Sequence, residues 1–167
     1  PGQSWQADVT LKPMRRSDAE DWVSWLLSLR GQFGNFYLGD PLAAVPRGTA
    51  RDYHTATTNG TIASGSSAIN IQSAPANRSN YLMAGDYIQI GSDESRQLFK
   101  VLQNASTDGS GNASVDVWPN VRSQITAGSA ITFESAKGIF RLSSNEQSWS
   151  INEASVYGIT FGAMELI

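Results

Sequence analysis

The chain contains no cysteine and one histidine, and only 16% of its 167 residues are charged. Without cysteine there is no disulfide frame and no thiolate metal site. No apolar run is long enough to span a bilayer. A formal net charge of −3 is too small to argue for a nucleic-acid or membrane partner. The sequence starts at Pro1, with no initiator methionine and no signal-like apolar segment. It is therefore read as a processed or truncated polypeptide. A chain of this length buries roughly 70% of its unfolded surface, enough for one ordinary domain or two small ones.

One stretch has strong helical character. In residues 17–30, Trp22, Val23, Leu26, Leu27 and Leu29 recur at helical spacing behind Ser17 and Glu20, which fit a capping box. Asp18, Glu20 and Asp21 complement the N-terminal end of the dipole, and Gly31 supplies a stop. On this reading Ser17→Ala costs about 1 kcal/mol. The stripe centres on Trp22, Leu26 and Leu29, which leaves Trp25 at its margin.

Nearly everything else has the spacing of strands. Trp5, Ala7, Val9 and Leu11 alternate with polar residues, the pattern of a half-buried strand, and Phe36-Tyr37-Leu38 forms a short apolar one. Residues 41–56 carry two prolines and no clean period, which suggests an extended arm. From residue 58 the texture turns to Asn, Ser, Thr and Gly with short strands at regular intervals, and it reverts near residue 137. The expected fold is mainly β: a β-sandwich or barrel-like domain with one packed helix and an inserted small β-barrel. Residues 1–57 and 137–167 are assigned to the β-rich domain, with the helix at 17–30, and residues 58–136 to the inserted barrel. The long apolar strand 156–166 needs neighbours along its edges, and the visible chain does not obviously supply both.

The candidates for chemistry are weak. His54 has no acidic or nucleophilic neighbour in sequence, and no G-x-S-x-G elbow is present. Asp93 and Glu94 read as a polar turn. The run from Asp108 to Asn112 resembles the start of a calcium loop, but Ala113 and Pro119 stand where glycine and glutamate are required. Asn59, Asn77, Asn104 and Asn112 begin glycosylation sequons that chance alone explains in so Asn- and Ser-rich a chain. Trp5, Trp22, Trp25, Trp118 and Trp149 could line a sugar-binding groove, but core packing is the default for most of them. No catalytic residue, cofactor or metal is assigned.

The ordered set MRRSDAEDWVSWLLSLRGQFGNFYLGDP, PRGTA, AGDYIQIG, VWPNVR, GIFRL and YGITF resembles the tail-tip proteins, distal-tail type, of long flexible-tailed bacteriophages. The similarity runs through nearly the whole chain in the same order. Members typically carry further N-terminal β-structure ahead of Ser4-Trp5, where this sequence departs. The resemblance implies a structural, non-enzymatic protein of the virion tail tip, assembled in the host bacterial cytoplasm. It would form a hexameric ring that joins the tail tube to the tip or hub complex and lines the DNA exit path. Its partners would be copies of itself, the tail tube protein and the hub or other tip proteins, without sequence-specific nucleic-acid binding or membrane insertion. Trp25, Arg47, Arg51, Tyr157 and Phe161 are the expected interface residues, with the arm 41–53 reaching onto a neighbour. The alternative is a carbohydrate-binding β-module for host attachment.

Overall fold

The computed structural model describes residues 2–166. In chain order the elements are β1 (Gln6–Thr10), β2 (Met14–Arg15), helix α1 (Arg16–Ser28), β3 (Asn35–Leu38), β4 (Thr57–Thr58), β5 (Ala68–Gln72) and β6 (Tyr87–Ile90). They continue with β7 (Gln97–Val101), β8 (Ala113–Trp118), β9 (Ile131–Thr132), β10 (Gly138–Leu142), β11 (Trp149–Ile151) and β12 (Val156–Glu165). The protein is mainly β with one α-helix. It divides into two compact units: Ser4–Tyr37 with Ile139–Ile167, and Leu38–Gly138 with Pro1–Gln3.

The first unit is built on β12. Along one edge β12 pairs β1, with Val9 opposite Phe161 and Ala7 opposite Ala163, and then β2, with Met14 opposite Tyr157. Along the other edge it pairs β10, with Leu142 opposite Ala163, and then β11, with Trp149 opposite Ile159. The expectation of an unpartnered edge on this strand is therefore corrected. Both edges of the strand thus carry partners, with a break at Thr160 and Phe161 between β11 and β10, and the strand order β1-β12-β10-β3 places the sheet's limits at β1 and β3. Period-two alternation turns Ile159, Phe161, Ala163 and Glu165 to the buried face. Ala19, Val23, Leu26 and Leu29 of the helix stripe meet Ile159, Phe161 and Leu142 there.

The helix does not start as its sequence suggests. No side chain caps its N-terminus, and Arg15, the N-cap residue, has the extended backbone of the strand it ends. Glu20 accepts from Arg16 Nε at 3.0 Å, and Ser17 Oγ lies 3.4 Å from Asp18 Oδ1. The pairing of β2 with β12 delivers the chain directly into the first turn. Ser17 thus sits inside the helix, and its capping role and the predicted cost of Ser17→Ala lapse. At the other end Arg30 and Gly31 both take positive φ, 53° and 68°. A Cβ on Gly31 would run into Asn145, so glycine is required there on two counts.

The second unit is a nearly closed six-stranded barrel, in the order β4-β5-β8-β7-β6-β9. A bridge between Thr57 and Ala130 joins its two ends. The seam is held by Thr58, which is fully buried. Its N–H donates to the Ser129 carbonyl at 2.9 Å, its hydroxyl donates to the Thr126 carbonyl at 3.0 Å, and the Ser129 N–H donates to that hydroxyl at 3.0 Å. Inside lie Ile69, Ile71, Ile88, Phe99, Val101, Val115 and Phe133. All but Phe133, which follows β9, are strand residues.

The arm belongs to this barrel, so the first boundary falls at Leu38 and not at residue 57. Asp86, 3% exposed, fixes it: one carboxylate accepts from the N–H groups of Arg47 (2.8 Å), Gly48 (3.2 Å) and Met83 (2.8 Å). Thr49 and Ala50 donate to the carbonyls of Asn80 and Tyr81, and Ala50 is fully buried in the barrel core. A Cβ at Gly48 would collide with the Tyr81 carbonyl, so the backbone packs against backbone there.

Asp86→Ala would leave those three N–H groups without their acceptor. We expect a loss of about 3 kcal/mol, read as a lower urea midpoint with an unchanged slope. Tyr81 is fully buried, and its hydroxyl donates to the Tyr53 carbonyl at 2.8 Å. Burial pushes its phenol up to about 12 from its ordinary value of 10.0. The raised value means that the barrel's stability is intact below pH 10 and falls as pH rises toward 12, because the unfolded chain ionises first. A phenolate absorbance titration should show one late-ionising tyrosine that disappears in Tyr81→Phe.

Candidate functional site

The five interface candidates do not share one surface role. Phe161 is 6% exposed and packs under the helix. Trp25 is half-buried and meets Phe36 and Phe161 edge-on, with ring centroids at 5.2 and 5.8 Å. Tyr157 is also half-buried, against the same cluster. These three are internal packing residues of the helix unit. Arg47 and Arg51 remain exposed: Arg47 donates to the Ala84 carbonyl, and Arg51 lies 3.8 Å from Asp52 in a surface ion pair.

Trp22 and Trp25 exchange the parts expected of them. Trp22 is 39% exposed, whereas Trp25 is the ring wedged between helix and sheet. Their positions on a helix lie three residues apart, so a small rotation of the buried stripe decides which ring goes in. Ala19, a small residue that brings the helix close to the sheet, sets that rotation. Ala19 lies outside the stripe that the large apolar residues define in the sequence, yet it is fully buried. Trp149 is 42% exposed on β11, and Trp118 ends β8 at a cis bond to Pro119.

The surface of the helix unit carries much large apolar area. Phe33 is 88% exposed, Leu27 54% and Ile151 57%, and Tyr37, Trp22, Trp149 and Leu166 are also exposed. On the barrel unit the most exposed apolar residues are Leu42 and Val45 in the arm and Leu102.

The polar residues buried as a whole among the described residues are engaged with backbone, whereas the buried Thr49 Oγ1, Arg78 Nε and Arg141 Nε have no hydrogen-bond partner. Besides Asp86 and Thr58, Gln89 accepts from the Lys137 N–H and donates to the Gly91 carbonyl. Gln97 accepts from the Arg122 N–H and donates to the Ser123 carbonyl. Thr107 accepts from the Arg78 N–H and donates to Pro75, and Glu165 accepts from the Trp5 N–H at 3.0 Å. Each satisfies main-chain groups that a loop or strand end would otherwise bury unpaired.

His54 is exposed, in contact with the Arg51 carbonyl and 3.6 Å from Glu134. Asp108 accepts from the Ser110 and Asn112 N–H groups at 2.8 and 2.9 Å. The Asn112 N–H first, then that of Ser110, holds its carboxyl below the usual range. The acidic group of that loop is thus spent on shaping its own turn. Among the described residues no three His, Asp or Glu side chains converge as a metal cage, and no helix is long and apolar enough to cross a membrane. The chain matches no family model and no curated protein.

Trp25→Ala should destabilise the helix unit by about 2–3 kcal/mol, below the loss for a fully buried tryptophan because the ring is half-exposed. Trp22→Ala should cost less than half as much. Equal losses in thermal melts of the two variants would mean that Trp25 is not the wedge.

Proposed function

We propose that the chain is a structural subunit of a bacteriophage tail tip. In this reading it assembles as a hexameric ring that connects the tail tube to the hub and lines the DNA exit path. The reading gives it no catalytic step and no cofactor. It acts through contacts with its own copies, with the tube protein and with neighbouring tip proteins, in the virion after assembly in the host cytoplasm.

The observation that carries the proposal is the exposed apolar surface of the helix unit. Side chains such as Phe33, Leu27 and Ile151 leave their area in water in a lone chain. Large apolar side chains left this exposed are frequent in contact surfaces. The sheet supports the same reading. Its order ends at β1 and β3, and β3, with sequence NFYL, carries no lysine, proline or other charge to discourage a further strand. A subunit with two such ends on one sheet can be continued head to tail, and a closed ring results when the rotation per subunit fits. The interface proposed here therefore uses β1, β3 and the exposed apolar residues, in place of β12 and Trp25. The family resemblance of the ordered motifs supplies the tail tip as the location.

Light scattering on the soluble chain should give the mass of a closed oligomer. Phe33→Asp combined with Ile151→Lys should yield monomers with an unchanged circular dichroism spectrum. A wild-type chain that stays monomeric at high concentration and is retained on a glycan resin would overturn the ring in favour of a carbohydrate-binding module.

A further inference from the structure

We propose that Asn59-Gly60 is a self-modifying site, at which the asparagine deamidates spontaneously and the isoaspartate product loosens the seam of the barrel. The inference is independent of the tail-tip reading.

The chain has ten asparagines, and Asn59 alone is followed by glycine. At every other one the next residue has a side chain that crowds its own backbone nitrogen. Gly60 has φ of +77°, and a Cβ placed on it would meet nothing within 4 Å. Both residues are exposed. Among the described residues neither the Asn59 carboxamide nor the Gly60 N–H has a hydrogen-bond partner. Most other asparagines in turns are tied down. Asn104 accepts from the Ala84 N–H, Asn145 from the Gln32 N–H, and Asn152 from the Ala154 and Val156 N–H groups. Asn120 and Asn112 donate to the Gly65 carbonyl and to Asp108. The related Asp108-Gly109 pair is guarded differently. Its carboxylate is engaged by two backbone N–H groups, and an ionised carboxylate is a poor electrophile.

The step balances with water as the only co-reactant. The Gly60 amide nitrogen gives its proton to solvent base and attacks Cγ of Asn59. A carbon–nitrogen bond forms, and the bond to the side-chain nitrogen breaks. That nitrogen leaves as ammonia, taking up a proton. Water then adds to either carbonyl of the resulting succinimide and opens it to aspartate or isoaspartate. Overall one water is consumed and one ammonia released, with no change of oxidation state.

The place of the site gives the reaction its consequence. On one side the main chain is anchored by Thr58 at the seam and by the Asn59 N–H, which donates to the Asn70 carbonyl at 2.8 Å. On the other, Ile62 and Ile125 exchange both backbone hydrogen bonds at 2.9 Å. Isoaspartate adds a methylene to the main chain between these two anchors. Either the Ile62 pairing or the seam must then shift, because the extra backbone atom offsets the spacing between the two anchored hydrogen-bond pairs.

The full chain is aged in mildly alkaline buffer and digested with trypsin, which releases residues 52–78 as one peptide. We expect a gain of one mass unit at Asn59, resolved as two products of which isoaspartate is the larger, with Asn70 and Asn77 in the same peptide unchanged. The aged wild type should unfold at a lower temperature than fresh protein. Aged Asn59→Gln should lose the products and keep the fresh unfolding temperature, and Asn59→Asp should separate the effect of charge from that of the longer backbone. Absence of conversion at Asn59, or equal conversion at Asn59, Asn70 and Asn77, overturns the site. Conversion with no change in unfolding temperature overturns its link to the seam.

Discussion

A strand paired along both edges is the constraint from which the helix unit follows. β12 pairs β2 and β1 on one side and β11 and β10 on the other. Most of its main-chain donors and acceptors are thereby met within the unit, as buried strands require. With both edges taken up, the remaining need is a cover for Ile159 and Phe161, and helix α1 supplies it. Trp25 and Phe36 extend that cover past the line of Ala19, Val23 and Leu26. The free edges of the sheet therefore lie at β1 and β3, which is where the proposed assembly contact is placed.

The barrel meets the same requirement with side chains where strands run out. Arg47 and Gly48 lie outside any strand, and the Asp86 carboxylate takes the place of a strand partner for their N–H groups. At the seam Thr58 uses backbone and hydroxyl together to hold the last strand to the first. Each device is a polar group buried at low cost because every partner is a backbone group already in position. The barrel is thereby closed without a long ninth strand, since β9 spans only Ile131–Thr132.

The strands were legible because alternation is a local property. Trp5 to Leu11, Tyr87 to Ile90 and Val156 to Leu166 declare their two faces in the sequence, and the turns between them are marked by Gly, Asp and Asn. The mainly β class with one helix was legible for the same reason. Asp86 was not: in the sequence it is half of a Gly-Asp turn, and its role depends on residues nearly forty positions away. The capping box at Ser17 and Glu20 was present in the sequence but lost to the pairing of β2, a tertiary contact that fixes where the helix begins. The order of Trp22 and Trp25 turned on Ala19, whose small size reads as neutral in a periodicity count and as decisive in packing. The arm was misassigned because its anchors are backbone N–H groups, which leave no trace in side-chain hydrophobicity.

The distribution of polar and apolar groups bears on function. The polar residues buried as a whole, Thr58, Asp86, Gln89, Gln97, Thr107 and Glu165, serve the main chain. Buried atoms of partly exposed residues, Thr49 Oγ1, Arg78 Nε and Arg141 Nε, have no hydrogen-bond partner among the described residues. The strongly raised group, Tyr81, owes its shift to burial in the barrel core, where it meets Phe133 edge-on and no solvent. The apolar residues run the other way: Phe33, Leu27, Ile151 and Leu42 stand in water when the chain is alone. Buried polar residues engaged with the fold and large apolar side chains left in water are together what supports the proposal that the molecule is an element of an assembly.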